Sequence, residues 1–398
     1  MSAALTATQL EAQQWARDFA QRCVAPKALA IDKDPHGPLR DQLVREGARA
    51  GVLGFLLPEF VGGAGGDMFS GLLVTEEIAA ACAGAAVLFG ATGLGLAPIM
   101  LSGNFALLQE LVPPLVASWD TDAPRLAALA ATEPDMGSDI MTGDPAASMR
   151  TRADKVDGGY LLNGNKVFIS NGSLAGLVTV FATTDRSKPI RESWCCFAVT
   201  SDTPGFSVGQ VFDKMGQRAA PAVELVFDDV FVPDAHRVVS EGYGWTLNNM
   251  IMSVTRAPVG AIALGIARAA YDKAIDYAEV RIQGGKPIVR HQAVALMLAD
   301  MAIRVEAARA LVYQAGQAIA AGRPSIKLSS MAKTFAADAA VANALDAIQV
   351  LGGNGYMHEY GVEKLLRDAK LTQIYEGTNQ MNRLEIVEAI TEERANVG

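Results

Sequence analysis

The chain has 398 residues, half of them apolar, and a net charge of −9 from 34 basic and 43 acidic side chains. That length allows two or three domains with a sizeable core. No long basic run is present, which argues against nucleic acid and anionic membrane as partners and leaves small molecules and proteins.

The N-terminal segment MSAALTATQLEAQQWARDF lacks a basic stretch followed by an apolar one, so neither a leader nor membrane insertion is expected. Thr8 and Glu11 have the spacing of a helix capping box, ahead of Trp15 and Phe19 on one helical face. The run IDKDPHGP ends that helix. Ala/Leu-rich stretches around 41–57, 70–90 and 94–117 follow, separated by clusters such as PEFVGGAGGD, so residues 1–128 read as an N-terminal all-α domain.

Between 129 and 241 the texture changes to strands. DGG and NGN sit at hairpin spacing around Tyr160 and Leu162, LVTVFATT and WCCFAVT follow, and Val223, Leu225 and Phe227 alternate with other residues. This is a middle β domain. From 242 to 398 helical spacing returns in three runs, from Leu264 to Ala278, from Val294 to Val312 and from Leu328 to Leu345. The breaks QGGKP, AGRPS and GGNGY separate them, giving a C-terminal four-helix-bundle-like domain.

The whole is a multi-domain α+β chain in α, β, α order, which excludes the βαβ alternation of a nicotinamide-binding sheet. No GxGxxG, phosphate-binding GxxxxGK[ST], GxSxG or HExxH motif occurs. Cys23, Cys82, Cys195 and Cys196 form no CxxC pair and only four histidines are present, so no metal site and a reducing, cytoplasmic setting are expected.

Three segments ask for more than packing: ATEPDMGSD (131–139), KVFISNG (166–172) and QVLGGNGY…LRDAKLTQIYEGTNQ (349–380). In the last, Glu376 is on its own terms either a solvated loop charge or a carboxylate held for proton transfer. Gly377 beside it lets a ligand approach the backbone closely. In the second, strand alternation sends Phe168 and Ser170 to one face.

Together these segments resemble the acyl-CoA dehydrogenase family of FAD-dependent flavoproteins, and the likeness runs over nearly the whole chain. It implies α,β-dehydrogenation of an acyl-CoA to a 2-enoyl-CoA, with Glu376 as the base for the α proton, flavin N5 as hydride acceptor and an electron-transferring flavoprotein as the partner that reoxidises the cofactor. Some relatives carry the base next to the arginine of a TR pair. Here Thr255 precedes Arg256, and threonine cannot be a carboxylate base.

By the same resemblance, Leu129, Ala131, Thr132, Gly137 and Ser138 pass under the flavin, with Phe168 against its ring and Ser170 on N5. Leu129 stands where many members have tyrosine, and Phe168 and Ser170 where tryptophan and threonine are usual. Arg281, Gln292, Gln349, Gly352 and Gly353 correspond to diphosphate and adenosine contacts from a neighbouring subunit, and Thr378 and Gln380 to contacts from the same one. A homo-oligomer, a dimer of dimers or homotetramer, is therefore implied. Val280 and Gly284 replace the family's glutamate and phenylalanine near this arginine, which weakens the expected grip on FAD. Ser138, Met252, Ser253, Arg256, Tyr375 and Gly377 correspond to the substrate side, with the pocket floor expected around Phe89, Gly90 and Leu94. An oxygen-reactive oxidase on the same fold and a catalytically silent helical scaffold remain as alternatives.

Overall fold

The computed structural model describes residues 5–139 and 149–395. Five longer helices come first: Ala7–Phe19 (α1), Pro38–Arg49 (α2), Met68–Ala81 (α3), Ala83–Leu101 (α4) and Phe105–Ala117 (α5). The first helix is closed by a capping box, but between Thr6 and Gln9 and not Thr8 and Glu11. The Thr6 hydroxyl accepts from the Gln9 N–H, and the Gln9 side chain accepts from the Thr6 N–H at 2.9 Å. Thr8 lies inside the first turn, where its backbone is already helical.

Strands follow: Leu126–Ala130 (β1), Arg152–Val156 (β2), Gly159–Ser170 (β3), Ala175–Thr183 (β4), Trp194–Thr200 (β5), Phe206–Val211 (β6), Ala222–Pro233 (β7) and Arg237–Val239 (β8). They form one sheet in the order β6-β7-β3-β2-β4-β5-β8, with β1 added in parallel to β4. Asp157 and Gly158 make the tight β2–β3 hairpin, with Val156 opposite Gly159. The NGN run is not a turn. It lies within β3, where Gly164 takes a φ of 146° and the pairing with β7 slips by one residue. An added Cβ there would lie 2.6 Å from the Thr151 backbone, so glycine admits the irregularity.

The C-terminal helices are Tyr243–Val280 (α6), Gln292–Ala320 (α7), Ile326–Leu351 (α8), Val362–Thr372 (α9) and Asn379–Ala395 (α10). Gly285, Gly322 and Gly352 adopt positive φ in the breaks that were expected to separate the long helices. Alanine and glycine on α6 let α8 and α3 come close. An added Cβ on Gly265 would meet the Glu76 carbonyl oxygen at 2.7 Å. Helices α4 and α6 are apolar and long enough to span a bilayer, yet most of each is buried in the fold against its neighbours.

Helix α4 also docks on β1, and this contact sets one wall of the site. Gly95 has no room for a side chain: a Cβ would lie 2.4 Å from the Ala128 nitrogen, while Thr179 Oγ1 donates to the Gly95 carbonyl at 2.8 Å. Gly95→Ala forces helix and strand apart, and destabilisation of about 1–3 kcal/mol is expected, as for other overpacked interiors. Urea unfolding of the two proteins checks this; equal midpoints would contradict so close a contact.

Candidate active site

Where α9 ends, residues Gln373–Thr378 turn the chain into α10. Glu376 has a φ of 56°, a left-handed backbone that costs a non-glycine residue about 1–2 kcal/mol, and Gly377 follows at 80°. Three side chains from two helices, α6 and α8, hold this turn. Asp338 of α8 accepts from Gln373 Nε2 at 2.7 Å and from Asn379 Nδ2 at 2.8 Å, tying both ends of the loop to one carboxylate. Lys333, one turn and a half earlier on α8, donates to the Gly377 carbonyl at 2.8 Å and to Asn379 Oδ1 at 2.9 Å. Arg256 of α6, fully buried, donates from Nε to the Glu376 carbonyl at 3.0 Å and from Nη1 to Ser330 Oγ at 2.7 Å, and is ion-paired with Glu385 of α10.

The Glu376 side chain turns inward, and Thr255 Oγ1 lies 2.9 Å from its Oε2. The same hydroxyl lies 3.0 Å from the Ile251 carbonyl. It has one proton, so it donates to an ionised Glu376, or accepts from a protonated Glu376 and donates to Ile251. Burial raises the Glu376 pKa above the usual carboxylate range, against the Thr255 hydrogen bond and the Arg256 and Lys333 charges, which lower it. Burial and the nearby Arg256 push the Lys333 ammonium down to about 7, with Glu376 and Asp338 acting the other way.

Glu376 faces a cavity of about 540 Å³ between α4, the sheet and the start of α6. It brings together Leu129, Ala131, Thr132, Gly137, Ser138, Phe168, Ser170, Met252, Tyr375, Glu376, Gly377 and Thr378 of the residues expected from sequence. Phe168 and Ser170 share it, but not through regular alternation. Phe168 has a φ of 60° and the β3–β7 register shifts between Lys166 and Ile169, so a bulge presents the ring, which is 62% exposed. The hydroxyls of Thr132, Ser138 and Ser170 have no hydrogen-bond partner among the described residues. Thr378 also caps α10, accepting from the Met381 N–H at 3.2 Å.

The segment that carries Thr132 and Ser138 is anchored by a buried ion pair that sequence reasoning missed. Lys166 donates to Glu133 Oε1 at 2.9 Å and to the Ala131 carbonyl at 3.0 Å. The Glu133 carboxylate also accepts from the backbone N–H groups of Arg150 and Thr151. Burial works to raise the Glu133 pKa, yet the Lys166 charge and these hydrogen bonds leave it below the usual range.

A second cavity, about 680 Å³, gathers Arg281, Gln349, Gly352 and Gly353, with Gly284 and His291. The Arg281 guanidinium has no partner among the described residues, and a Cβ on either Gly352 or Gly353 would meet nothing within 4 Å. Gln292, Gln380, Ser253 and Arg256 line neither cavity. Gln292 opens α7 next to the second, Gln380 is exposed on α10, and Ser253 Oγ donates to the Met250 carbonyl. Of the expected floor, Leu94 lines the first cavity. Phe89 instead packs its ring against Phe19, and Gly90 is exposed.

Sequence profiles of the acyl-CoA dehydrogenase N-terminal, middle and C-terminal domains match residues 6–118, 128–230 and 242–391. The chain belongs to the acyl-CoA dehydrogenase family. An acyl-CoA dehydrogenase of Bacillus subtilis strain 168 is 43% identical over 383 residues, covering 96% of this chain and 97% of its own. Butyryl-CoA dehydrogenase from Megasphaera elsdenii superposes with a TM-score of 0.91 at 37% identity, covering 98% of this chain and 100% of that one. PigA, solved with FAD and proline, superposes at a TM-score of 0.90 and 27% identity, covering 98% and 99%. In this acyl-CoA dehydrogenase, a member of a flavoprotein family, the cavity beside Glu376 offers an exposed aromatic ring and three hydroxyls without a partner among the described residues, a donor set that fits a flavin.

The single hydroxyl on Glu376 is open to test. Thr255→Val removes a bond that favours the ionised carboxylate, so the Glu376 titration moves to higher pH. Lys333→Met removes a favourable charge and moves it the same way. Difference infrared spectroscopy of the carboxyl band follows both; a midpoint unchanged in Thr255→Val would show that the hydroxyl does not act on the carboxylate.

Proposed function

We propose that this acyl-CoA dehydrogenase binds FAD in the first cavity and removes the α proton of a saturated acyl-CoA with Glu376, giving a 2-enoyl-CoA. The observation that carries the reading is the carboxylate of Glu376, a half-buried residue whose pKa is raised by desolvation and which lines an apolar cavity from a backbone held left-handed by Arg256 and Lys333. A base for so weak an acid works best when its pKa is brought up toward neutrality and water is kept away.

The Glu376 N–H makes no hydrogen bond among the described residues, which supports it as a donor to the thioester oxygen while negative charge develops there. When bound, FAD supplies the acceptor for the β hydride. Phe168 is suited to lie against its ring, and Thr132 and Ser170 to donate to its polar edge. Arg281, with the open backbone of Gly352 and Gly353, is suited to the diphosphate and adenosine end.

These two groups of residues cannot serve one cofactor within one chain. Thr255, beside Glu376, and Val280, next to Arg281, are separated along α6 by about 38 Å at the helical rise, more than the length of a dinucleotide. The separation supports a homo-oligomer in which Arg281 of one copy meets the Glu376 cavity of another. Electrons pass on to an electron-transferring flavoprotein, and the four free thiols accord with a cytoplasmic setting.

Glu376→Gln keeps the side chain's size but cannot take a proton at neutral pH. Mixed anaerobically with butanoyl-CoA, the variant's flavin is expected to bleach at least 10²–10⁴-fold more slowly, roughly what a positioned base contributes. Bleaching at the wild-type rate would overturn the assignment.

A further inference from the structure

Asn248 lies on α6, is only 2% exposed, and lines the first cavity with Ala91 and Leu94 of α4 and Met252. Its Nδ2 has no hydrogen-bond partner among the described residues. A buried amide without a partner is a standing cost to the fold, and in an otherwise apolar slot it is explained by a ligand that supplies the acceptor.

The position of Asn248 says which part of the ligand that is. Asn248, Met252 and Thr255 follow at the spacing of one helical face, and Thr255 holds Glu376. Asn248 is therefore about 10 Å from the base, toward the N-terminus of α6. That end is the open one: Tyr243, Asn249 and Met250 are exposed, as are Gly90 and Gly93 beside the cavity-lining Ala91 and Leu94. In the opposite direction Arg256, Val259 and Ala261 are buried. The bulky coenzyme portion of an acyl-CoA must stay on the open side, so its arm runs past Asn248 while the acyl chain points inward.

The arm carries a secondary amide next to its thioester, and the oxygen of that amide is roughly 8 Å from the α carbon when the intervening bonds are extended. The reach of the Asn248 side chain covers the remainder. We propose that Asn248 Nδ2 donates to this first amide carbonyl of the coenzyme arm and so fixes how deeply the thioester enters, which sets the α carbon against Glu376. Ala91, Leu94 and Met252 cover the methylenes between. The inference rests on the reading of Glu376 as the base at the α carbon.

Three probes separate the amide from everything else in the ligand: butanoyl-CoA, S-butanoyl-N-acetylcysteamine, which keeps the first amide, and S-propyl thiobutanoate, which lacks it. Asn248→Ala and Asn248→Leu are expected to lower kcat/KM roughly 3- to 10-fold on the two amide-bearing probes, through kcat as well as KM because the α carbon is no longer held against the base, and to leave the ratio for the S-propyl ester within experimental error of wild type. An equal loss on all three probes, or no loss on butanoyl-CoA, overturns the proposal. Calorimetric binding of butanoyl-CoA to the flavoprotein, with and without Asn248→Ala in a Glu376→Gln background, reads the same contact without turnover. An unchanged Kd there overturns it as well, whereas failure of the base assignment shows only in the Glu376→Gln rate.

Discussion

The candidate active site depends on holding one backbone residue, Glu376, in a left-handed conformation that an L side chain avoids. Left to itself the loop would relax and swing the carboxylate away. It is restrained by contacts that all reach main-chain or loop-end atoms: Arg256 on the Glu376 carbonyl, Lys333 on the Gly377 carbonyl, and Asp338 on Gln373 and Asn379. Because these groups come from α6 and α8, which pack side by side in the C-terminal core, the rigidity of the bundle passes to the carboxylate. The same cations that position the loop also oppose the rise in its pKa, so placement and basicity are set by one cluster of charges.

The opposite wall is built on the same plan. The polar segment Ala131–Ser138 is tied to β3 by a buried pair, Lys166 and Glu133, and by the Lys166 bond to the Ala131 carbonyl. Such a pair adds little to stability compared with apolar residues of similar size, but removing one partner strands the other charge, which makes the arrangement hard to alter piecemeal. Its consequence for function is that Thr132, Ser138 and Ser170 line the cavity with hydroxyls that have no partner among the described residues.

The α, β, α order was legible because helical and strand periodicities differ sharply and glycine-rich breaks separate the segments. The YEGT sequence and its neighbours directed attention to Glu376, which lines the first cavity, while its role as base is our proposal. What was not legible depended on long-range contacts or on local irregularity. Lys333 and Lys166 look in the sequence like ordinary surface lysines, and only the packing of α8 and β3 buries them. Phe168 reaches the cavity through a bulge that alternation does not foresee, NGN is absorbed inside a strand, and Thr6 caps α1 in place of Thr8 since either threonine has a suitable acceptor three residues on. Asn248 carried no motif at all; the absence of a partner for its Nδ2 among the described residues is what marks it.

The central claim, that Glu376 removes the α proton, is tested most directly by the isotope effect at that carbon. Anaerobic bleaching of the flavin by butanoyl-CoA and by its α,α-dideuterated form, followed across pH, should show a primary isotope effect and a rate that rises with pH through one ionisation above the ordinary glutamate range. A rate insensitive to α deuteration at every pH, and flat with pH, would contradict the account.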